Sequence, residues 1–309
     1  MSEKIYRQIS ANLSNIGVKT TLIPISNLTK IQKIFTEIIN SRTYSQEFYD
    51  IYFKIFQKDY RKVFPDAKSI IVTVYPQQIT ELYFSYNGAD IRTVIPPTYI
   101  HKDEEVNIEN LLNKILSNYG YCIKNFPLPE KLTTVLSGLG KYGKNNLCYV
   151  DGMGSFNTPI IYLSDLPVEE KPLSEMSLAE PCKNCIRCTN NCPTKAITED
   201  SFLINPQRCI TYFNENEFEL PEWVLMNWQD TIIGCMCCQE VCPMNAKLLK
   251  NISECAGFSE SETELILKNT EFKNLPESVK IKLADLSMDK QYEILPRNLQ
   301  LLVNKKFNK

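Results

Sequence analysis

No stretch of 18 apolar residues occurs anywhere in this 309-residue chain, which excludes a helix crossing a membrane. No apolar segment follows Met1-Ser2-Glu3-Lys4 where a secretory leader would carry one, so a cytoplasmic protein is expected. Neither sign of charge is in excess: 34 basic and 36 acidic residues leave a formal charge of -2. That balance argues against a generic nucleic-acid surface, although Arg61-Lys62 and the stretch from Lys141 to Lys144 could form local basic patches. Histidine is almost missing. His101 stands alone, and a surface or capping role is expected for it rather than a bond to a metal. No internal repeat is visible beyond two related cysteine runs.

Cysteine is what the chain has in quantity. Twelve are present, in a chain too long to need disulfide staples. The first run is Cys182-x2-Cys185-x2-Cys188-x3-Cys192-Pro193, and the second is Cys235-x2-Cys238-x3-Cys242-Pro243. The first has the spacing of a bacterial cubane site, in which the last cysteine ligates the other of two clusters. The second lacks a nearby fourth cysteine, a place that Cys209 can fill. Two [4Fe–4S] clusters are therefore expected. Cys182, Cys185, Cys188 and Cys242 would surround one, and Cys192, Cys209, Cys235 and Cys238 the other. Zinc is the bland alternative for Cys-x2-Cys pairs, but zinc sites rarely show the longer run ending in proline. Cys237 adjoins Cys238 and could replace it, while both flanking spacings favour Cys238. Cys148 reads as core, and Cys122 and Cys255 as buried bystanders, with a reactive thiol the alternative for either.

Around this module the pattern mixes helices and strands. Residues 1 to about 60 read mainly as helix with an early strand or turn, and Ser69 to Tyr75 as a strand covered on both faces. Glu105 to Ser117 returns to helix, with Val106, Ile108, Leu111, Leu112 and Ile115 expected inside. Asn145 to Val150 and Pro159 to Leu163 read as strands joined by the turn Asp151 to Ser155. Thr194 to Ile197 is expected to open a short helix, and Pro296 to begin another. The expected organisation is an α+β chain: a cofactor-binding or substrate domain over 1–175, a two-cluster domain over 176–255, and a helical tail over 256–309 packing back on the body.

The stretch from about 127 to 245 resembles the epoxyqueuosine reductase family, which completes queuosine synthesis in tRNA. Three segments carry the resemblance: Ser137-Gly138-Leu139-Gly140-Lys141-Tyr142-Gly143-Lys144-Asn145-Asn146, then Cys209-Ile210-Thr211-Tyr212-Phe213, then Gly234 through Asn245. The resemblance implies a nitroreductase-like cobalamin-binding domain fused to a ferredoxin-like module with two [4Fe–4S] clusters, related to reductive dehalogenases. It also implies that Gly138, Gly140, Gly143, Lys144, Asn145 and Ser155 line the cobalamin site. In the family an aspartate serves as general acid seven residues before the lysine of a Pro-x-x-Glu-Lys segment. Here that segment is Pro127 to Lys131, and Lys124 stands at the acid's position. A protonated lysine can donate a proton, and Asp90, Asp103 and Glu130 are other candidate acids.

The family's Leu-Gly-Glu segment is replaced by Asn157-Thr158-Pro159-Ile160, and no tRNA-recognising helical repeat is visible. These departures lead to the expectation of an iron–sulfur oxidoreductase that passes electrons from a ferredoxin or flavodoxin, through both clusters, to cobalamin. Its substrate, a small molecule or a protein acceptor, would differ from the family's. Two alternatives stand beside it: epoxyqueuosine reductase acting on tRNA, and an electron-transfer partner without cobalamin. Tyr75, Tyr86 and Tyr99 are possible pocket residues.

Overall fold

The computed structural model describes residues 1–100, 104–199, 203–224, 228–254 and 257–307. His101, Asp103 and Cys255 lie outside the described residues. The chain divides into two compact units: residues 1–76 with 103–183, and residues 77–102 with 184–309. No described helix is long and apolar enough to cross a membrane.

The first unit is built on an antiparallel sheet in the order β1-β2-β8-β5. Its strands are β1 (Lys19–Pro24), β2 (Ser69–Pro76), β5 (Ile123–Asn125) and β8 (Asn157–Ser164). Both central strands are buried throughout, apart from Pro76 at the end of β2. Alternation explains how. Ile71 and Tyr75 of β2 and Ile160 and Tyr162 of β8 join one apolar core with residues of α1 (Ser2–Ser14) and α4 (Glu104–Ser117). The intervening side chains face the other side, where α5 (Glu130–Leu136) packs on β2 and β8, beside α2 (Asn27–Asn40). Two-sided cover is usual for parallel sheets; here helices from both flanks supply it to an antiparallel one.

On α4, Ile108, Leu112 and Ile115 are buried as expected, whereas Val106 is 58% exposed. Leu116 takes the fourth inward place, one turn after Leu112, because a 3.6-residue period rotates Val106 off the core face. A short helix α3 (Gln46–Tyr52) begins at Ser45, whose hydroxyl accepts from the Phe48 N–H. A small hairpin, β6 (Gly140–Tyr142) with β7 (Cys148–Val150), completes the unit. The turn expected at Asp151 to Ser155 links β7 to β8, which pair with other strands: β7 joins β6, and β8 joins β2 and β5.

The second unit opens with β3 (Ile79–Tyr86) and β4 (Ala89–Ile95), a hairpin turned by Asn87 and Gly88, both at positive φ. That dipeptide and geometry mark a type I′ turn, whose twist matches paired strands. The remaining elements are α6 (Arg187–Asn191), α7 (Ile210–Asn214), α8 (Cys237–Glu240), β9 (Ile252–Glu254), α9 (Glu260–Leu267), α10 (Glu277–Asp285) and α11 (Leu295–Phe307). β9 pairs in parallel with β3. Leu82, Phe84 and Ile91 of the hairpin share a core with Ile232 and Ile233, Phe258, and Val279, Leu283, Leu299 and Leu302. The hairpin and the terminal helices thus fold with the cluster segment, in place of the three consecutive domains expected from sequence. Their apolar faces find one another across long sequence separations.

The start of α9 yields a prediction. Ser259 and Glu262 form a capping box, and Lys282 bonds both the Glu262 carboxylate, at 2.7 Å, and the Gly257 carbonyl, at 2.9 Å. Burial alone would raise the Glu262 carboxyl, but Lys282 and the Ser259 donors outweigh it and hold the group below its ordinary value. A lowered carboxylate stabilises the fold above the unfolded pKa of about 4.3, and that contribution is lost as pH falls through the folded value. Glu262→Gln should therefore cost about 1–2 kcal/mol at pH 7. Urea unfolding of the clustered protein should show the gap from wild type closing toward pH 3.5.

Candidate metal centre

The two cysteine runs fold as two short helices lying side by side. α6 carries Cys188 and is closed by Cys192, α8 begins at Cys237, and the pair pack together. Asn191 ties them by donating to the Cys237 carbonyl at 2.6 Å. After Pro193 the chain makes a turn rather than the expected helix, because Lys195 sits at φ +55°, outside helical space. That turn drives Ala196 and Ile197 inward, to 1% and 4% exposure. Around Cys192, Ala196 and Ile197 gather Cys188, Cys209 and Cys238.

Three of the four cysteines expected around the second cluster thus meet on one apolar nucleus. The fourth, Cys235, faces Cys209 and Cys238, and its thiol is raised well above the usual value by a hydrogen bond to Cys237, by burial and by those neighbours. The same bond lowers Cys237. Burial pushes the Cys209 thiol up, Thr211 pulls it back, and Cys192 and Glu215 raise it further. Thiols that gather on one apolar nucleus, Cys192 buried and Cys209 and Cys238 half-buried, suit a cubane, which takes four thiolates and is tuned by dielectric and nearby hydrogen bonds. Cys238, which packs on the nucleus, fits the fourth place better than Cys237. Thr194 is buried against the site, its hydroxyl 3.6 Å from the Cys192 sulfur, and its carbonyl accepts from Arg208 at 3.1 Å.

Of the other set, Cys185, Cys188 and Cys242 lie in the second unit, Cys242 just ahead of the turn Pro243–Asn245. Cys182 ends the turn Glu180–Cys182 at the close of the first unit. The glycine hairpin holds the segment leading to it: Tyr142 N–H donates to the Ser177 carbonyl at 3.1 Å, and Ala179 N–H to the Tyr142 carbonyl at 2.8 Å.

Polar side chains hold the loop between Cys209 and Cys235. Asn298 of α11, fully buried, donates to the carbonyls of Asn214 and Ile232, both at 2.9 Å. Asn214 donates to the Gly234 carbonyl at 2.8 Å, and Gln229 to Asn214 at 2.7 Å. Arg297 reaches the carbonyls of Phe213, Asn216 and Phe218. The last helix therefore fixes the loop between Cys209 and Cys235. Sequence reading missed this support, because an Asn or Arg in a terminal helix carries no spacing signal.

The residues expected around cobalamin have other work within their own hairpin. A Cβ on Gly140 would lie 2.6 Å from the Cys148 sulfur, and one on Gly143 would overlap the Tyr149 ring. The close approach these glycines allow is to the chain itself. Gly138, at φ +88°, is closed over by Ser174. Asn145 is buried, donating to the Tyr149 hydroxyl at 3.0 Å and accepting from Leu147 N–H at 3.3 Å. Ser155 is buried and Lys144 half-buried. The hydroxyls of Thr133 and Thr134, wholly buried on α5 just before the glycine turn, have no hydrogen-bond partner. Lys124 lies exposed on β5, donating to the Val63 carbonyl at 3.0 Å, with its ammonium 5.5 Å from the Phe64 ring centre. Asp90 accepts from Ser85 on β4, and Glu130 opens α5 at the surface.

Tyr75 is buried in the sheet core, Tyr86 packs edge-on to Phe307, and Tyr99 lies against Gly234, the neighbour of Cys235. Cys148 is core, as expected, its thiol pushed up to about 12 by burial. Cys122 corrects the expectation of a buried bystander: it sits exposed beside the edge strand β5, which leaves one side of its thiol to solvent.

Residues 181–245 match the family described as 4Fe-4S double cluster binding domain. An epoxyqueuosine reductase of Cyclobacterium marinum is 30% identical over 197 residues, 60% of this chain and 61% of that one. One of Cellulophaga algicola is 28% identical over 258 residues, 79% of this chain and 80% of its own. A similarity of that length cannot come from the cluster segment alone. Over most of its length the chain is similar to epoxyqueuosine reductases. A solved epoxyqueuosine reductase, in complex with an epoxyqueuosine-modified tRNA-Tyr stem loop, shares the fold at TM-score 0.64. It is 18% identical, over 99% of this chain and 82% of the other. The double-cluster family model spans all eight cysteines of the two sets, three of which, Cys192, Cys209 and Cys238, gather on one apolar nucleus.

Proposed function

We propose that this chain is a reductase of the epoxyqueuosine type, acting on the modified base in tRNA. The observation that carries the reading is the similarity to epoxyqueuosine reductases over 258 residues, well beyond the cluster segment at 181–245. It favours the tRNA alternative over the unidentified substrate that the departures at Lys124 and Asn157 to Ile160 suggested. Removing an epoxide oxygen as water consumes two electrons and two protons. In this reading two [4Fe–4S] clusters, held by the eight cysteines of the two sets, and a cobalamin bound to the first unit supply the electron chemistry. The donor is a ferredoxin or flavodoxin, and the compartment is the reducing cytoplasm.

The chain's own residues would divide the remaining work. Lys144 is a half-buried cation on the hairpin's turn, and Thr133 and Thr134 hold unpartnered hydroxyls just ahead of it. These are polar groups in or near the glycine segment that could exchange hydrogen bonds with a large amide-bearing cofactor. Lys124 occupies the family's acid position and is the proposed proton donor.

The test is an anaerobic cobalamin titration of the reconstituted full chain, followed by incubation with epoxyqueuosine-bearing tRNA stem loop and nucleoside analysis. Stoichiometric corrinoid binding with loss of the epoxide is expected. Corrinoid binding without turnover would return the substrate to the unidentified class. No binding by fully clustered protein would leave an electron-transfer partner.

A further inference from the structure

Beside the second thiol set lies a polar pair that the proposed reaction does not use. Tyr99 follows β4, far in sequence from the cysteines, yet it belongs to the same compact unit. Its hydroxyl donates to the carboxylate of Glu215, the residue that closes α7, while Cys209 opens the same helix. The phenol also lies close against Gly234, the residue before Cys235. A Cβ there would overlap both the ring and the hydroxyl, and the backbone has φ +64°. Glycine at 234 thus admits the ring against the loop that presents Cys235. Tyr99 is enclosed here, and burial and the Glu215 carboxylate both favour its protonated, donating form.

We propose that the Tyr99–Glu215 pair sets the reduction potential of the cluster on Cys192, Cys209, Cys235 and Cys238, with Glu215 as the anion that lowers it and Tyr99 as the donor that limits the effect. Reduction adds an electron to the cluster, so a carboxylate close by in a low-dielectric pocket opposes it. A hydrogen bond to that carboxylate draws charge away from the cluster and weakens the opposition. Both are positioning residues: neither ligates iron. The pair would keep this cluster a stronger reductant than its four thiolates alone would make it. The inference rests on the two-cluster reading and is independent of the substrate.

The experiment is an EPR-monitored redox titration of the reconstituted full chain, with iron counted for every variant. Glu215→Gln should move one cluster to a more positive potential and leave the other in place. Tyr99→Phe, which keeps the ring on Gly234 and loses only the donor, should move the same cluster to a more negative potential. In a Cys209→Ser background Glu215→Gln should shift nothing, which identifies the responsive cluster. Unchanged potentials in both variants at full iron content would overturn the proposal, as would shifts of the same sign. If Tyr99→Phe loads iron poorly, the sign of the Glu215→Gln shift alone decides. A wild type holding a single cluster would instead refute the two-cluster reading.

Discussion

Cys209→Ser is expected to lower iron content from about eight to about four per chain and to take turnover to background. Serine oxygen is a poor ligand for a soft iron–sulfur core, and one lost corner opens the cubane to solvent. The fold should survive. Cys209 is the cap of α7, a place where serine is favoured, and the carbonyl that accepts from Tyr212 at 3.0 Å is unaffected. Asn298 and Arg297 still hold the helix behind it. Iron analysis and EPR should show one remaining cluster, while Cys148→Ser, in a core thiol, should leave both. Cys238→Ser should behave like Cys209→Ser, and Cys237→Ser should keep full iron. The reverse result for the last two would reassign the ligand.

Lys124→Ala is expected to lower turnover on epoxyqueuosine tRNA about 100-fold, the scale at which a positioned general acid contributes, with both clusters and cobalamin binding intact. Stability should change by no more than about 0.5 kcal/mol, because the side chain is exposed and its hydrogen bond is to the Val63 carbonyl at the surface. To protonate substrate the ammonium must leave that carbonyl and the Phe64 ring, so a part of the catalytic cycle is spent breaking two weak contacts. Lys124→Asp, which installs the family's carboxylate, should turn over at least as fast as wild type. Single-turnover kinetics on the stem loop check both. An alanine variant with wild-type rate would place the acid elsewhere, with Glu130 at the head of α5 the next residue to replace.

Much of the candidate site was legible because thiolate spacing is a local constraint. Three cysteines at intervals of three must loop around one object, and the prolines after Cys192 and Cys242 turn the chain at the fourth. The strand at Ser69 to Tyr75 was equally plain, since a run of β-branched residues with no polar face has to be covered on both sides. The hairpin at Asn87-Gly88 was legible and overlooked: the dipeptide between two alternating runs is a strong turn signal. Val106 was misplaced by reading apolar character without phase, and Cys122 by taking burial as the default for a thiol.

The sequence by itself pointed to an iron–sulfur module and to the resemblance to epoxyqueuosine reductases, because ligand type and spacing are written in consecutive residues. Only the tertiary structure decided what surrounds the thiols. It placed Tyr99 from the β4 end against Gly234, the neighbour of Cys235, and Asn298 from the last helix under the loop between Cys209 and Cys235. It also turned Gly140 and Gly143 from presumed ligand contacts into the packing of a hairpin. Such neighbours are chosen by the burial of apolar faces far apart in the chain, and the lone carboxylate or amide carried along with each face has no periodicity of its own to announce it.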